Sequence, residues 1–190
     1  MTYKVRKFKN IFIVAFLVLA MFAVGCLGGD SYTRGTVTDD GFKSEFLNLK
    51  FTLPTGFHML TEGTLPEEDG VYHEMAAMTP MAMPSVVVMS ERVPTRTTVA
   101  DYIEIFKENL LEELQNTPWV DSIEVAETVT VEFAGETYEQ VIVVVSMFNT
   151  YVNQTYLIRR VDNMMVSIAF TYMSELEAEL QLLMDAFESL

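Results

Sequence analysis

The stretch YVNQTYLIRRVDNMMVSIAFTY, residues 151–172, decides the fold. Two runs rich in β-branched and aromatic residues flank the pair Asp162-Asn163, which is typical of a tight turn. Strands that are joined by so short a loop must lie side by side and run antiparallel. The sequence therefore predicts an antiparallel sheet built around this hairpin.

The segments before this hairpin extend the predicted sheet. Three further strands are expected within Ile123–Tyr172, where SIEVAETVTVEF turns at Gly135-Glu136 into TYEQVIVVVSMF. The run SVVVMSERV, residues 85–93, predicts another strand because it is rich in β-branched residues. In FLNLKFTLPTGF, residues 46–57, apolar and polar residues alternate up to Leu53, which predicts a strand with one buried face.

Two amphipathic helices frame this meander. One apolar stripe predicts a helix with Thr97 or Thr98 as its N-cap; its members are Val99, Ile103, Phe106, Leu110 and Leu114. The closing helix is expected to begin with a capping box between Ser174 and Glu177. Its predicted buried residues are Leu176, Leu180, Leu183, Phe187 and Leu190. The fold class is therefore α+β, an antiparallel meander with an inserted amphipathic helix and a C-terminal helix packed on it.

The first residues have the features of an export signal. Residues 1–10 carry four basic residues and no acidic one, and residues 11–24, IFIVAFLVLAMFAV, are continuously apolar. The run ends at Gly25-Cys26, and Cys26 is the only cysteine in the chain. Two alternatives stay open. One is an uncleaved membrane helix, for which the apolar segment is slightly shorter than the ~20 residues that span a bilayer. The other is ordinary signal-peptide cleavage, which leaves Cys26 as an unmodified thiol.

This leader resembles the signal peptides of bacterial lipoproteins, in which small residues precede a cysteine. The resemblance implies that Cys26 carries a diacylglycerol and that cleavage falls between Gly25 and Cys26. We expect no other cofactor. Because two acyl chains give stable anchoring, we expect the protein to remain on the extracytoplasmic face of the bacterial cell membrane.

The rest of the chain is predicted to be a tether and one domain. Residues 1–25 form the signal peptide, and residues 26–41 are the lipidated cysteine and a flexible spacer with several glycines. Residues 42–190 have the length and apolar content of a single domain.

The charge of the mature chain excludes one class of partner. The whole chain has 12 basic and 27 acidic residues. The leader holds four of the basic and none of the acidic residues, so 8 and 27 remain and the net charge is −19. Such a body repels phosphate backbones, so nucleic-acid binding is not expected. It also repels anionic headgroups, and the lipid must therefore hold the protein to the membrane.

The order of elements resembles the Mog1/PsbP-like α/β/α sandwich, in which an aliphatic-Pro-x-Gly-aromatic turn follows an early strand. The matching positions are Leu53, Pro54, Thr55, Gly56 and Phe57, and the resemblance spans Phe46 to Leu190. It implies a non-catalytic domain with an unknown or adaptor-like role.

One stretch suggests metal chemistry. YHEMAAMTPMAMP, residues 72–84, holds four methionines beside His73. His73-Glu74 begins like the zinc-protease motif H-E-x-x-H, but residue 77 is alanine, so the motif fails. One hypothesis is that His73, Met81 and Met83 together bind Cu(I). The structural alternative is that the methionines fill the hydrophobic core.

The sequence predicts a binding or scaffold domain rather than an enzyme. No nucleophile elbow, phosphate-binding loop or dinucleotide motif occurs in the sequence. We expect the membrane to be one partner, through the lipid, and an unknown protein or small ligand at the cell surface to be the other. Two alternatives stay open, namely Cu(I) handling by the methionine-rich turn and a hydrolase whose site is assembled from distant positions.

Overall fold

The computed structural model describes residues 32–60 and 70–190. The predicted cleavage and lipidation site at Gly25 and Cys26 lies outside these ranges, as do residues 61–69. The described residues form strands β1 Thr36–Thr38, β2 Gly41–Ser44, β3 Leu49–Thr52, β4 His58–Met59, β5 Val71–Met78, β6 Ser85–Arg92, β7 Val120–Val125, β8 Val129–Phe133, β9 Glu136–Met147, β10 Thr150–Val161, β11 Met164–Met173 and β12 Phe187–Glu188. The helices are α1 Val99–Gln115, a 3-10 turn Ser174–Leu176 and α2 Glu177–Asp185.

The strands form a long sheet and a small sheet. The long sheet has the order β4-β5-β6-β11-β10-β9-β7, and β8 pairs with β9 beside β7. Every neighbouring pair is antiparallel. The small sheet has the order β1-β2-β3-β12. The hairpin at residues 151–172 is therefore the centre of the long sheet, as the sequence predicts.

Each face of the long sheet is covered by different elements. On one face, α1 buries Ile103, Phe106, Leu110 and further residues against alternate residues of β9 and β10, such as Val143. On the other face, α2 and the small sheet pack their apolar residues, including Phe51, Leu183 and Phe187, against β6 and β11. We call these the helix face and the small-sheet face. Because both faces of the long sheet are buried against a core, its central strands have nearly continuous apolar sequences.

The α+β fold class and the position of the inserted helix are confirmed. Thr98 rather than Thr97 is the N-cap of α1, and it shares a capping box with Asp101. Strand β6 begins at Ser85 as predicted, and in β3 Leu49 and Phe51 are buried while Lys50 and Thr52 are exposed.

Three details of the sequence prediction are wrong. The segment Ile123–Tyr172 contains parts of five strands rather than three, because residues 126–128 interrupt the predicted strand SIEVAETVTVEF. The capping box of the closing helix is absent, because the hydroxyl of Ser174 instead accepts a hydrogen bond from Asn153 in a 3-10 turn. That helix ends at Asp185, so Phe187 is buried from a strand.

Leu190, which was also predicted to be buried, is 43% exposed. Leu190 lies beyond β12 and outside the helix, so the helical periodicity on which the prediction depended does not extend to it.

The predicted spacer is shorter than the sequence indicates. Residues 32–41 were assigned to it, but Thr36–Thr38 pair with Gly41–Ser44 in the small sheet, and Tyr32 and Gly35 hydrogen-bond to β5. The folded domain therefore includes the chain from Tyr32 onward. Within the described ranges, no helix is long and apolar enough to cross a membrane.

Candidate functional site

The long sheet has two ends that differ in chemistry. At one end lie the start of β5, the end of β6 and the turn at Asp162-Asn163. The N-terminal segment also joins the domain here, so we call this the tether end. At the opposite end, strand pairing brings together five connections, at residues 53–57, 79–84, 116–119, 148–149 and 174–176.

Residues 32–35, which we call the strap, fasten the N-terminal segment to β5. The hydroxyl of Tyr32 donates to Glu74 Oε1 at 2.7 Å, and the backbone N–H of Gly35 donates to Glu74 Oε2 at 3.1 Å. The guanidinium of Arg34 donates to the carbonyl oxygen of His73 at 2.6 Å. Both carboxylate oxygens of one buried side chain are thus used to hold the strap.

Packing adds to these hydrogen bonds. The ring of Tyr32 lies 4.6 Å from that of Tyr72 and 5.3 Å edge-on from that of Phe46, measured between centroids. At Gly35 a β-carbon would lie 2.2 Å from the ring of Phe42, so this position requires glycine. Burial, followed by the hydrogen bond to Glu74, raises the pKa of Tyr32 far above its usual value.

Glu74 holds the strap because β5 is irregular at this residue. The register of β5 against β6 shifts between His73 and Met75, and such a bulge redirects a side chain that strict alternation would place on one face. Glu74 is 1% exposed. The sequence analysis missed this role, since Glu74 drew attention only as part of a failed zinc motif. A glutamate in an otherwise apolar strand was the available signal.

Four of the connections at the end of the long sheet opposite the strap carry no charged residue, whereas the turn Ser174–Leu176 at the same end carries the exposed Glu175. Residues 53–57, 79–84, 116–119 and 148–149 contain no Asp, Glu, Lys or Arg, in a mature chain of net charge −19. We call these four connections, together with Tyr151, the uncharged connections. Three large apolar side chains are exposed there: Met81 at 66%, Tyr151 at 60% and Phe148 at 39%. Trp119, the single tryptophan, is half-buried beside them against the core of the helix face.

The turn between β9 and β10 holds Phe148 in a costly conformation. Phe148 has φ 51° and Asn149 has φ 60°. Two positive φ values define the tight hairpin turn that prefers Asn-Gly. A bulky residue in the left-handed region costs about 1–2 kcal/mol, and such strain tends to persist where it serves function.

The three residues of the copper hypothesis lie in different environments. Met83 is buried in the core of the helix face, whereas Met81 points into solvent. His73 is buried in β5, directly opposite Met89 of β6. His73 and Met78, where the turn begins, are five positions apart, and at ~3.3 Å per residue this spans about 13 Å with the bulge. The copper site stays a prediction.

Acidic and histidine ligands give no alternative metal site. In residues 32–60 and 70–190, no group of three or more His, Cys, Asp or Glu side chains is placed to hold a metal ion.

Buried tyrosines form polar contacts on the helix face. The hydroxyl of Tyr102 donates to Glu91 Oε2 at 2.7 Å, and that of Tyr156 donates to Gln154 Oε1 at 3.0 Å. Burial, and for Tyr102 the neighbouring Glu91, raises the pKa of both phenols well above the usual value. The contact between Tyr102 and Glu91 joins α1 to β6, whereas the contact between Tyr156 and Gln154 lies within β10.

These tyrosines predict that the domain loses stability in alkali. An unfolded tyrosine ionises near pH 10, while the folded state keeps Tyr102 and Tyr156 protonated at higher pH. Their contribution to the free energy of unfolding is therefore fully present below about pH 10 and is lost as the pH rises further. We expect the free energy of unfolding to fall by up to about 1.4 kcal/mol per pH unit for each buried tyrosine, as measured by urea denaturation.

Tyr156→Phe should make the alkaline decline shallower. Val143→Ala, which removes buried apolar atoms but no phenol, should lower stability equally at every pH. If the free energy of unfolding fell equally steeply with pH in Tyr156→Phe and in the unchanged protein, Tyr156 would not be a source of the alkaline loss of stability.

Comparison with known proteins identifies the fold. No protein-family model and no curated protein matches this chain. Among solved structures, the cyanobacterial PsbP protein CyanoP from Synechocystis sp. PCC 6803 aligns with a TM-score of 0.52 and 12% sequence identity. The alignment covers 88% of this chain and 99% of CyanoP. The domain has a PsbP-like fold. This confirms the fold predicted from the order of elements, and at such low identity the likeness concerns the fold alone.

Two other structures align less well. A protein from Bacteroides thetaiotaomicron has a TM-score of 0.46 at 12% identity, with 81% of this chain and 49% of that chain covered. LpqN of Mycobacterium tuberculosis, described as involved in cell envelope biogenesis, has a TM-score of 0.41 at 9% identity, with coverage of 74% and 82%. Likeness at this level supports no conclusion about function.

Proposed function

We propose that this chain is a lipid-anchored extracytoplasmic protein whose PsbP-like domain binds or scaffolds another molecule without catalysing a reaction. The observation that carries the proposal is the strap. A predicted lipidation site at Cys26 is followed, only six positions later, by a residue that is bonded to a buried carboxylate of the domain. A domain that is tied to its own N-terminal segment so close to an anchor is suited to work at the membrane.

The strap limits how far the domain can lie from its anchor. Six Cα–Cα steps from Cys26 to Tyr32 span at most about 21 Å when fully extended. A spacer that ended at Gly41 would allow more than twice that distance. The tether end of the long sheet is therefore held close to the bilayer.

The buried acidic residues support a non-catalytic role. Glu74 holds the strap and Glu91 accepts a hydrogen bond from Tyr102. Glu136, which is partly buried, pairs with Arg159. Each of these carboxylates has a structural partner, whereas a general acid or base must be available to a substrate.

Replacement of the predicted lipidated residue tests the anchor. We expect Cys26→Ser to move the protein from the membrane fraction to the soluble fraction and to abolish the mass added by a diacylglycerol, because serine has no thiol to form the thioether that carries the lipid. Fractionation and intact-mass measurement provide the readouts. As a matched control, Ser31→Ala, in the same segment, should leave both unchanged. If Cys26→Ser and the unchanged protein were equally associated with the membrane and the lipid-derived mass were unchanged, the anchor would be refuted.

A further inference from the structure

We propose that Met81 is a reversible oxidation site, at which a small hydroperoxide converts the thioether to a sulfoxide while the domain stays folded. This role is independent of the lipid anchor. It follows from the exposure of Met81 among the methionines of the chain, from the turn that presents it and from its position outside the hydrophobic cores.

Met81 is exposed, whereas the other methionines of the mature chain are shielded. The chain has 13 methionines, of which Met1 and Met21 lie in the predicted leader, so 11 remain. Seven of these are buried and three are half-buried, whereas Met81 is 66% exposed. Because the oxidation of a side-chain sulfur depends on its exposure, a hydroperoxide reaches the sulfur of Met81 first.

A hydrogen-bonded turn holds Met81 away from the domain. The N–H of Ala82 donates to the carbonyl oxygen of Thr79 at 2.9 Å, and the hydroxyl of Thr79 donates to the carbonyl oxygen of Met83 at 2.7 Å. The turn is packed down on both sides of Met81, since Met78, Ala82 and Met83 are all buried. The exposure of Met81 is therefore part of the folded structure and requires no local unfolding.

The fold gives no structural reason for a methionine at residue 81. Met81 belongs to none of the hydrophobic cores that the described residues form. It follows Pro80 at the third position of the turn, where small polar residues and glycine are the usual choice. Its side chain can therefore become polar at little cost in stability. The same oxidation at Met83 would place a polar oxygen in the core of the helix face.

The oxidation of Met81 and its reversal need only a hydroperoxide and thiols. The sulfur takes the terminal oxygen of the hydroperoxide, so that an S–O bond forms and the O–O bond breaks. The proton moves to the leaving oxygen, and the hydroperoxide departs as an alcohol, or as water if it is hydrogen peroxide. A methionine sulfoxide reductase returns the sulfoxide to the thioether with two thiols, which yield a disulfide and water.

Peptide mapping by mass spectrometry, after brief treatment of the full chain with tert-butyl hydroperoxide, tests the site. We expect the sulfoxide to form about 10-fold faster at Met81 than at Met83, its buried neighbour in the same turn, because access to the sulfur limits the rate. Met81→Leu should remove this first oxidation and leave the slower ones unchanged. As a matched control, Met184→Leu, which replaces a half-buried methionine, should leave the oxidation of Met81 unchanged.

Two further measurements test the stability of the oxidised domain and the reversal. Protein that is oxidised at Met81 alone should unfold at the same urea concentration as untreated protein. Treatment with methionine sulfoxide reductases A and B and dithiothreitol should restore the thioether, since each enzyme reduces one of the two sulfoxide epimers.

Four outcomes would overturn the oxidation site. Met83 could be oxidised as fast as Met81, the midpoint of unfolding could fall after oxidation of Met81, or the reductases could leave the sulfoxide in place. The fourth concerns the cause of the selectivity. In urea that unfolds the domain, Met81 and Met83 should be oxidised at equal rates, and a difference that persisted there would show that the fold is not its source.

Discussion

Glu74→Ala should lower the free energy of unfolding by about 2–3 kcal/mol, because it leaves the hydroxyl of Tyr32 and the backbone N–H of Gly35 without their acceptor. The loss should be largest in the strap itself. Arg34 is a trypsin site within the strap, so local opening exposes it. An opening that is easier by ~2 kcal/mol corresponds to cleavage about 30-fold faster when opening and closing are rapid.

Two milder variants separate the contributions at Glu74. Glu74→Gln keeps the volume and one carbonyl acceptor, and Tyr32→Phe keeps the ring contacts but removes one hydrogen bond. Each should cost about 1 kcal/mol. Urea denaturation and the rate of cleavage after Arg34 provide the measurements. If Glu74→Ala cleaved no faster than the unchanged protein, the strap would not be held by this carboxylate.

Arg159→Met should destabilise the domain by about 3 kcal/mol. The guanidinium side chain is 12% exposed, lies 3.0 Å from Glu136 Oε2, and is centred 5.1 Å from the ring centroid of Tyr138. It also donates to the carbonyl oxygen of Leu47, in the turn between β2 and β3. Removing one partner of a largely buried ion pair typically costs 3–5 kcal/mol, and the partial exposure of Glu136 reduces that figure.

The exposed pair Lys50–Glu188 provides a matched control for Arg159. Its two side chains are 46% and 64% exposed and their charged atoms lie 3.3 Å apart. Lys50→Met should therefore change stability by less than about 0.5 kcal/mol. The double variant Arg159→Met with Glu136→Gln should cost less than the sum of the two single variants, because the partners are coupled. If Arg159→Met and Lys50→Met lowered the free energy of unfolding by similar amounts, burial would not strengthen the pair Arg159–Glu136.

Local patterns were sufficient for most of the central elements. Short turns force antiparallel neighbours, and helical periodicity identified the buried stripe of α1 in residues such as Phe106 and Leu110. The patterns failed at the C-terminus. There Phe187 continues the helical stripe in sequence but pairs with Phe51 in a strand. Pairing with a strand more than 130 positions away cannot be seen in a window of helical length.

The candidate sites could be predicted only in part. The sequence singled out Met81 and Met83 but assigned them jointly to copper, whereas one is exposed and the other is buried. Tyr32 was assigned to the spacer, because no local pattern shows that its hydroxyl meets a carboxylate 42 positions later. The uncharged connections were also missed, since they are separated along the chain and come to the same end only through strand pairing.

The sequence by itself determined the antiparallel order of the central strands, the stripe of α1 and the excess of acidic residues, and it predicts the anchor at Cys26. All of these depend on neighbouring residues or on composition. Only the tertiary structure decided that the chain is fastened at Tyr32 and that four uncharged connections share one end. Both arise because the bulge at Glu74 and the register of the long sheet bring distant residues together, and register is a property of paired strands rather than of any one segment.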